Sequence, residues 1–483
     1  MPVGGSAATR ATSGNPMPMT PATAPNDTTA RPDGSVFWSE GQPRAQYDTE
    51  VPRTCDVLVV GAGYTGLWTT LELLDQQPDL RVCVVDAARV GDGASGRNGG
   101  WLEPSLTHGV ERGERLFPNE IHELEAVARD ALDSFRSFIA SEELDCDFAP
   151  TGTLECAVAA HQLPSLHQLA DTYERLGWPV DLLDTQEITD YLRSPHPVGA
   201  VRACTRGGIL NPFALVTGLA QIAARRGALV VEGQRIISVH KRGTELEATA
   251  SAGARVRASN VVLAVDGGLR RVRRSTGLLS IPLEDYVMVS APLTPKQRAS
   301  VGWTHGEGVA DLSGAFTSLR LTADHRLYWG GSEAVYRFGS RRPSAYEAQR
   351  WDNLAAEART WFPQLSDLAW THRWTGAVPV TTSGVPAFGT ALGGRMHYVF
   401  GFTGLGVLAS KVAGQVLASR VLAQPCRAAE LQWARRRALP FPPEPIRWAA
   451  VERARHDILR ADQTGKSSRY LKTLDRFGMG FTS

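Results

Sequence analysis

The sequence predicts an α/β protein whose first domain is built on parallel strands and whose second domain is built on a mixed or antiparallel sheet. Residues 55–60 (CDVLVV) form an uninterrupted apolar run, which is typical of a parallel strand buried on both faces. A glycine turn, a helical stretch and a second apolar run at 81–85 follow directly, and this order of elements is that of a Rossmann-like unit. Residues 280–335 contain short strand-like segments with aromatic residues, which predicts an antiparallel sheet.

Length and composition narrow the class of protein. The chain has 483 residues, several times a usual domain size of ~150 residues, so we expect two packed domains. Hydrophobic residues make up 43% and charged residues 21%, as in ordinary globular proteins. The formal net charge of +1 argues against nucleic acid as the main partner. No apolar run reaches the ~18–20 residues that cross a bilayer, so no transmembrane segment is predicted.

The spacing of the cysteines indicates whether the protein has disulfides or a metal site, and in which cellular compartment it is expected. The six cysteines lie far apart and form neither a C-x-x-C pair nor a cluster with the spacing of a zinc site. We therefore expect reduced thiols, no metal site and a cytoplasmic location.

The order of elements follows from local patterns along the chain. Residues 1–34 are rich in Ala, Thr, Ser, Pro and Gly and lack large apolar side chains, which predicts a disordered N-terminal arm. Further strands are expected at 147–159, 228–232, 235–240, 245–250 and 261–265. Helices are expected at 119–142, 160–176, 211–226, 343–361, 407–422 and 447–462.

The turn Gly61-x-Gly63-x-x-Gly66 has a definite physical role. The first glycine allows the tight turn, the second lets a pyrophosphate approach the backbone, and the third lets helix and strand pack closely. The helix N-terminus then offers free N–H groups to the phosphates. Asp86 follows 20 residues after Gly66, at the end of the second strand, where a carboxylate binds ribose hydroxyls. A dinucleotide site is the favoured interpretation, and a tight turn without ligand is the alternative.

A second glycine-rich segment, residues 91–100 (GDGASGRNGG), follows the acid. Five of its ten residues are glycine, which lets the backbone lie flat against a planar, anionic group. Ser95 and Arg97 are candidates for contact with a pyrophosphate. The alternative is an exposed, flexible loop.

These motifs resemble those of FAD-dependent oxidoreductases of the D-amino-acid oxidase/glycine oxidase superfamily, particularly the branch containing gamma-glutamylputrescine oxidase. The segments that carry the resemblance are GAGYTG at 61–66, VVDAARVGDGASGRNGG at 84–100 and GFTGLG at 401–406. Residues 208–212, 259–266, 319–331 and 372–376 also fit, and the resemblance covers roughly residues 36–425. It implies a glutathione-reductase-type FAD domain and FAD as the cofactor.

The resemblance also implies which residues contact FAD. Ile236 is expected to offer backbone hydrogen bonds to the adenine, and the backbone from Asn98 to Gly100 is expected to pass the flavin ring. A helix N-terminus after residues 401–406 would stabilise the negative charge of reduced flavin, although an ordinary glycine turn would look similar. The full set of predicted contacts is Gly61, Gly63, Tyr64, Thr65, Gly66, Asp86, Ala87, Arg89, Ser95, Gly96, Arg97, Asn98, Gly99, Gly100, Ile236, Thr403, Gly404, Leu405 and Gly406.

The same resemblance divides the chain into discontinuous domains. The FAD domain is expected from residues 50–105, 205–275 and 370–425. The substrate domain is expected from residues 106–204 and 276–369. Residues 426–483 form a C-terminal tail with a charged helix.

The resemblance implies oxidation of a small-molecule amine by hydride transfer from its α-carbon to flavin N5. The resulting imine hydrolyses, and dioxygen is the expected acceptor, giving hydrogen peroxide. Many amino-acid oxidases of the superfamily carry an Arg in a W-x-G-x-R-P element, but in this sequence Val378 stands in its place. Valine cannot bind a carboxylate, so an amine whose carboxylate is distant or absent fits better than a free D-amino acid.

Other interpretations of the chemistry stay open. A dehydrogenase of the same fold would pass electrons to a quinone or carrier, and a biosynthetic flavoenzyme would act on a larger nitrogen-containing metabolite. A flavin-binding protein with a role in assembly or regulation is a third interpretation. Oligomeric state is not predicted. The candidates for the substrate site, each of which also fits core or surface, are Trp101, Glu103, His108, Tyr286, Arg320, Trp329 and Val378, with Tyr328 beside Trp329.

Overall fold

A computed structural model describes residues 35–273, 276–331, 334–340 and 348–480. The predicted disordered arm at 1–34 lies outside these residues. Within the described ranges, no helix combines the length and the apolar character that a membrane crossing requires.

The strands are numbered in chain order. They are β1 (Thr54–Val60), β2 (Val82–Val85), β3 (Trp101–Leu102), β4 (Thr153–Ala157), β5 (Asp181–Leu183), β6 (Gly199–Ala203), β7 (Gly208–Ile209), β8 (Leu229–Val231), β9 (Ile236–Arg242), β10 (Glu245–Ala250), β11 (Arg255–Leu263), β12 (Ile281–Pro292), β13 (Gly308–Asp311), β14 (Thr317–Leu321), β15 (Arg326–Gly331), β16 (Trp370–Val380), β17 (Ala387–Ala391) and β18 (Met396–Phe400).

The helices are numbered in the same way. They are α1 (Tyr64–Gln76), α2 (Val110–Leu116), α3 (Ile121–Ser141), α4 (Leu163–Arg175), α5 (Pro212–Arg225), α6 (Leu269–Val272), α7 (Pro295–Val301), α8 (Ala348–Trp361), α9 (Ala409–Leu422), α10 (Arg427–Glu430), α11 (Gln432–Arg435), α12 (Ile446–Thr464) and α13 (Arg469–Arg476).

The first sheet is the predicted Rossmann-like sheet. Its strands lie in the order β17-β18-β11-β1-β2-β8, and β18, β11, β1, β2 and β8 are mutually parallel. Four consecutive residues of β1, from Val57 to Val60, are buried, because helices cover the sheet. Strands β9 and β10 extend from β11 as an antiparallel meander. The carboxyl ends of β1 and β11 lie side by side, with Val60 opposite Leu263.

The second sheet is mixed, as predicted for the substrate domain. Its order is β16-β12-β15-β14-β13-β4-β6-β5, and only the β13–β4 pair is parallel among these neighbours. Side chains alternate between its two faces along β12. Tyr286 and Met288 pack with Trp351 of α8 on the outer face, whereas Val287 packs with Phe213 of α5 on the inner face. The inner face therefore lies against the first domain.

One predicted domain boundary is wrong. The resemblance implies a return of the chain to the FAD domain at residue 370, but β16 is the edge strand of the second sheet and pairs with β12 along residues 281–290. The return occurs only after Val380, with β17. The W-x-G segment within β16 contains no local sign of its partner strand, so the sequence pattern could not decide between the sheets.

The two ends of the described chain both contact the second sheet. Near the N-terminus, Trp38 stacks on Tyr328 with ring centroids 6.0 Å apart and contacts Trp374. Near the C-terminus, Phe441 packs against Ile281 and Val380. The predicted charged helix of the tail is α12, and its neighbour α13 was not predicted.

Candidate active site

The turn between β1 and α1 is closed by three glycines whose backbones lie against other groups. Gly61 has a φ of 109°, and a Cβ at this residue would overlap the carbonyl oxygen of Ala264, just after β11. A Cβ on Gly66 would overlap the carbonyl oxygen of Gly61, and one on Gly63 would lie 2.9 Å from Oγ of Ser95. The backbone of Gly61 and that of the turn at Gly66 therefore leave no room for a Cβ, and at Gly63 a Cβ would crowd the Ser95 hydroxyl.

Helix α1 presents its N-terminus at this turn. Its N-cap residue is glycine and makes no side-chain cap. The amide of Tyr64 donates to Oγ of Ser95 at 3.0 Å, whereas the amides of Thr65 and Gly66 have no acceptor in the part of the chain that the structure describes. Such amides bind anions, including a pyrophosphate. The Tyr64 hydroxyl instead donates to the carbonyl of Pro212, so only the backbone of Tyr64 faces the turn.

Asp86 lies at the carboxyl end of β2, beside the turn. Its Oδ2 accepts from the amide of Ala62 at 2.8 Å, and its Oδ1 accepts from the amide of Ala88 at 2.9 Å. Burial raises the pKa of this carboxyl, although the two amide hydrogen bonds oppose that effect. Each carboxylate oxygen keeps a further lone pair, so Asp86 can also accept hydrogen bonds from a ribose.

The predicted adenine region adjoins Asp86. The amide of Gln234, just before β9, donates to the carbonyl of Asp86 at 2.8 Å, which brings the buried residue Ile236 to the same end of the sheet. Ala87 is half-buried and Arg89 is exposed. These positions surround the end of β2, where the resemblance expects the adenosine part of FAD.

Residues 91–100 are held by side chains within and outside the loop. The Asn98 amide donates to the carbonyl of Ser95 at 3.0 Å and accepts from the amide of Gly100 at 2.9 Å. The Trp374 indole N–H donates to the carbonyl of Arg97 at 2.9 Å. The Arg97 guanidinium donates to a carbonyl of its own loop. The alternative of a flexible, exposed loop is therefore not what the structure shows.

Arg320 fixes the same loop from the second sheet. It is buried, and its Nη1 lies 2.7 Å from the carbonyl oxygen of Leu210, 3.1 Å from that of Gly99 and 3.2 Å from that of Gly100. Its guanidinium also stacks over the ring of Trp38 at 4.9 Å. Burial lowers the pKa of Arg320 to about 10, which leaves it protonated at neutral pH. The sequence suggests this residue as a substrate-anion binder; in the structure its Nη1 holds backbone carbonyls, while its buried Nε has no hydrogen-bond partner among the described residues.

Residues 401–406 lie on the same side of the molecule as the glycine turn. The amide of Gly401 donates to Oδ1 of Asp266 at 2.7 Å, and Asp266 lies three residues after the end of β11. The amide of Thr403 donates to the carbonyl of Pro379 at 3.2 Å. A Cβ on Gly404 would lie 3.8 Å from Cγ1 of Val378. Leu405 and Gly406 then lead into α9.

These contacts test whether FAD fits. The glycine turn, the unpaired α1 amides, residues 91–100 and residues 401–406 lie along one path at the carboxyl ends of β1, β2 and β11. Ligands of open α/β sheets bind at this edge. Burial raises the pKa of the Asp266 carboxyl to about 6 on this path, where it accepts from the amide of Gly401. The residues present fit an extended dinucleotide such as FAD.

The inner face of the second sheet holds a carboxylate that the sequence patterns do not single out. Alternation along β12 places Asp285 on the same face as Leu283 and Val287, opposite Gly376 of β16. Burial raises the pKa of Asp285 to about 6, and the charge of this carboxylate contributes to a raised pKa of the Tyr328 hydroxyl. The sequence contains one sign of this position: Asp285 lies two residues from the apolar Leu283 and Val287, and alternate residues of a strand share a face.

Tyr286 and Trp329, two aromatic residues predicted for the substrate site, lie on the outer face of the second sheet, which packs against α8. Trp329 is fully buried and contacts Trp361 of α8 at a centroid distance of 6.0 Å. Tyr286 contacts Trp351 of the same helix and accepts a hydrogen bond from Arg337. Both belong to the outer core, because consecutive strand residues alternate in direction. Tyr328, the neighbour of Trp329, is the aromatic residue on the inner face.

Trp101 remains a candidate for the wall of the site. Its ring lies 5.6 Å from that of Tyr328, and it directly follows residues 91–100. A Cβ on Gly308 would overlap its indole, so the ring fills the space next to β13.

The surroundings of Glu103 and His108 favour a structural role for both side chains over a role in binding substrate. Glu103 pairs with the buried Arg206 at 3.5 Å, and Arg206 also pairs with Glu125 at 3.0 Å. Burial, together with the charge of Arg112, lowers the pKa of His108 to about 3, so this imidazole is neutral.

Comparison with known proteins gives consistent matches. The family model described as FAD dependent oxidoreductase matches residues 56–420. Gamma-glutamylputrescine oxidoreductase of Escherichia coli (strain K12) is 31% identical over 80% of this chain and 88% of that protein. Glycine oxidase of Geobacillus kaustophilus (strain HTA426) is 25% identical over 76% of this chain and 92% of that protein. A solved structure of glycine oxidase from Geobacillus kaustophilus has a TM-score of 0.67 at 21% identity, covering 80% of this chain and 100% of that one.

Proposed function

The chain belongs to the family of FAD dependent oxidoreductases, and on that premise we propose that it oxidises an amine whose reacting carbon carries no carboxylate. Its relatives act on amines and amino acids, so the class of donor is shared. We further propose dioxygen as the electron acceptor and hydrogen peroxide as a product. The balanced reaction for a primary amine is R-CH₂-NH₃⁺ + O₂ + H₂O → R-CHO + NH₄⁺ + H₂O₂.

The position of Val378 carries this proposal. Val378 lies beside Gly404, in the segment expected to contact the flavin. An apolar side chain there cannot pair with a carboxylate next to the reacting carbon. Arg320, the other cation considered for this role, directs its Nη1 at three backbone carbonyls and stacks its guanidinium over the ring of Trp38. An α-amino acid would therefore leave its carboxylate unpaired in a desolvated site, which is costly.

The residues of this chain bind, orient and exclude water. When bound, the flavin supplies the two-electron chemistry, by accepting hydride from the carbon next to nitrogen. The unpaired amides of Thr65 and Gly66 would hold the pyrophosphate, and Asp86 would hold the ribose. Arg320 fixes the carbonyls of Gly99 and Gly100, in the segment expected to pass the flavin. Trp101 and Tyr328 form apolar walls that keep water from the reacting carbon.

The named relative supports the class of substrate. Gamma-glutamylputrescine is an amine, and the relative named for it matches this chain over most of both lengths. We carry over only the class, an amine, because the identity to this relative is 31%. The separated cysteines support a reducing, cytoplasmic setting for the reaction.

An anaerobic panel tests the proposal. FAD-loaded protein is mixed without oxygen with alkyl amines, diamines, N-methyl amino acids and D-amino acids, and flavin bleaching near ~450 nm is followed. We expect bleaching by amines without an α-carboxylate, and peroxide release once air is admitted. Bleaching without peroxide would indicate a dehydrogenase that uses a quinone or carrier. Bleaching by amino acids alone, or by no donor, would contradict the proposal.

A further inference from the structure

Asp285 is placed on the inner sheet face by its strand, not by a local motif. The β12–β16 register runs without interruption from Ile281 to Val289, so Asp285 shares its face with Leu283 and Val287. Leu283 belongs to the same apolar cluster as Val378, and Val287 belongs to that of Tyr328. Asp285 therefore lies between the residue next to Gly404 and the aromatic wall of the site.

The residues around Asp285 leave space in front of its carboxylate. Its cross-strand partner is Gly376, and no heavy atom lies within 4 Å of the position that a Cβ on Gly376 would take. Over Gly330, opposite Val287 on β15, the space is instead taken by the Tyr328 ring, whose hydroxyl lies 2.7 Å from the position of a Cβ, so the opening is on the Gly376 side. Asp285 keeps partial solvent exposure although burial dominates its electrostatics. A small group can thus reach the carboxylate from the cofactor side.

The charge of Asp285 has no cationic partner in the described ranges. Its carboxylate accepts hydrogen bonds from the backbone amides of Tyr286 and Gly331. Arg320 shares the inner face, but its Nη1 binds the carbonyls of residues 99, 100 and 210. The neighbouring Glu284 carries the same sign of charge, so it does not neutralise Asp285. A carboxylate that is partly buried without a counter-ion is normally paired when the site is filled.

We propose that Asp285 binds the ammonium group of the substrate and makes this site selective for cationic amines that lack an α-carboxylate. This assignment rests on the proposed function, because it takes the bound cation to be the amine that is oxidised. An ammonium donates charge-assisted hydrogen bonds to the carboxylate while its alkyl part contacts Val378 and Tyr328. The same negative charge repels a substrate carboxylate, so Asp285 and Val378 exclude α-amino acids together.

A pair of ligands that cannot react tests the assignment by binding alone. In tert-butylammonium the carbon next to nitrogen carries no hydrogen, so no hydride can leave it, and pivalate is the carboxylate of matching shape. Each is titrated into FAD-loaded protein, and the change in flavin absorbance gives a dissociation constant. Wild type should bind tert-butylammonium more tightly than pivalate. Asp285→Asn should weaken binding of the cation by about 10-fold or more, through the loss of a charge-assisted hydrogen bond.

Glu284→Gln is the matched control. It removes the same charge from the adjacent residue of β12, whose side chain points to the opposite face. We expect Glu284→Gln to bind both ligands nearly as wild type does, and Asp285→Glu to retain most of the preference for the cation. If Glu284→Gln and Asp285→Asn lost equal affinity for tert-butylammonium, the proposal would be overturned, because the effect would then be a long-range effect of charge and not a contact with Asp285.

The outcomes separate this assignment from the proposed function. If Asp285→Asn fails to retain FAD, the two dissociation constants of the wild-type protein test the assignment. Tighter binding of pivalate than of tert-butylammonium to the wild type then refutes it. If the cation binds through Asp285 but no amine bleaches the flavin, the oxidation proposal fails while the cation site stands. If amines bleach the flavin but Asp285→Asn binds the cation as wild type does, only the role of Asp285 fails.

Discussion

Replacing Arg320 by Met should release FAD rather than change the substrate. Two of the three carbonyls that its Nη1 binds, those of Gly99 and Gly100, belong to the loop expected to pass the flavin. Hydrogen bonds to charged groups contribute ~1.5–3 kcal/mol, and the 3.1 and 3.2 Å distances favour the lower value for each bond. Losing both removes about 3 kcal/mol of loop ordering. If FAD binding requires that order, its dissociation constant rises roughly 100-fold.

The assay is the FAD dissociation constant, from equilibrium ultrafiltration of purified protein. Arg359→Met is the control, because Arg359 is an exposed residue of α8 on the outer side of the second sheet. It should retain FAD as wild type does. The reasoning is refuted if Arg320→Met keeps the wild-type FAD affinity and loses only its binding of carboxylate ligands. That result would make Arg320 an anion binder for the substrate.

Two further predictions concern the turn and a buried carboxyl. Gly66→Ala should abolish FAD retention, because the new Cβ would overlap the carbonyl oxygen of Gly61, whereas Gly93→Ala should retain FAD, because its Cβ would meet no heavy atom within 4 Å. Equal FAD content in the two purified variants would contradict this. Burial raises the pKa of Glu155 to about 7, so the stabilisation by its protonated form is present below pH ~4.5 and is lost as pH rises through about 7. Glu155→Gln can still accept the Tyr173 hydroxyl's hydrogen bond and lacks this titration, so its urea midpoint relative to wild type should rise between pH 5 and pH 8. A constant difference would show that Glu155 does not titrate in this range.

The cofactor turn was predictable because its determinants are local. Gly61 and Gly66 are needed for contacts within six residues or with the adjacent strand, and Asp86 ends the next strand of the same unit. A single stretch of sequence thus contains both the turn and its reason. The positions around residues 401–406 needed the resemblance, since their partners Asp266 and Pro379 are distant in the chain.

The substrate side was less predictable because it depends on strand direction and register. Trp329 and Tyr328 are adjacent aromatic residues, and the sequence does not say which one faces the cofactor domain. The answer comes from α8, which covers the face of Trp329. Asp285 was missed for the same reason, since its surroundings depend on pairing with Gly376, which lies about ninety residues later in the chain. The Arg320 contacts likewise join parts of the chain that no local pattern connects.

The contacts of Trp38 and Phe441 bear on how the protein should be shortened. The family match covers residues 56–420, so both aromatic residues fall outside it. Yet Trp38 stacks on Tyr328 and Arg320 at one end of the inner face, and Phe441 packs on Ile281 and Val380 at the other. A fragment trimmed to the recognisable motifs would keep each of the predicted FAD contacts while opening the substrate side to water at both ends. We therefore expect a fragment that keeps residues 35–480 to protect the inner face better than one trimmed to the segment of the family match.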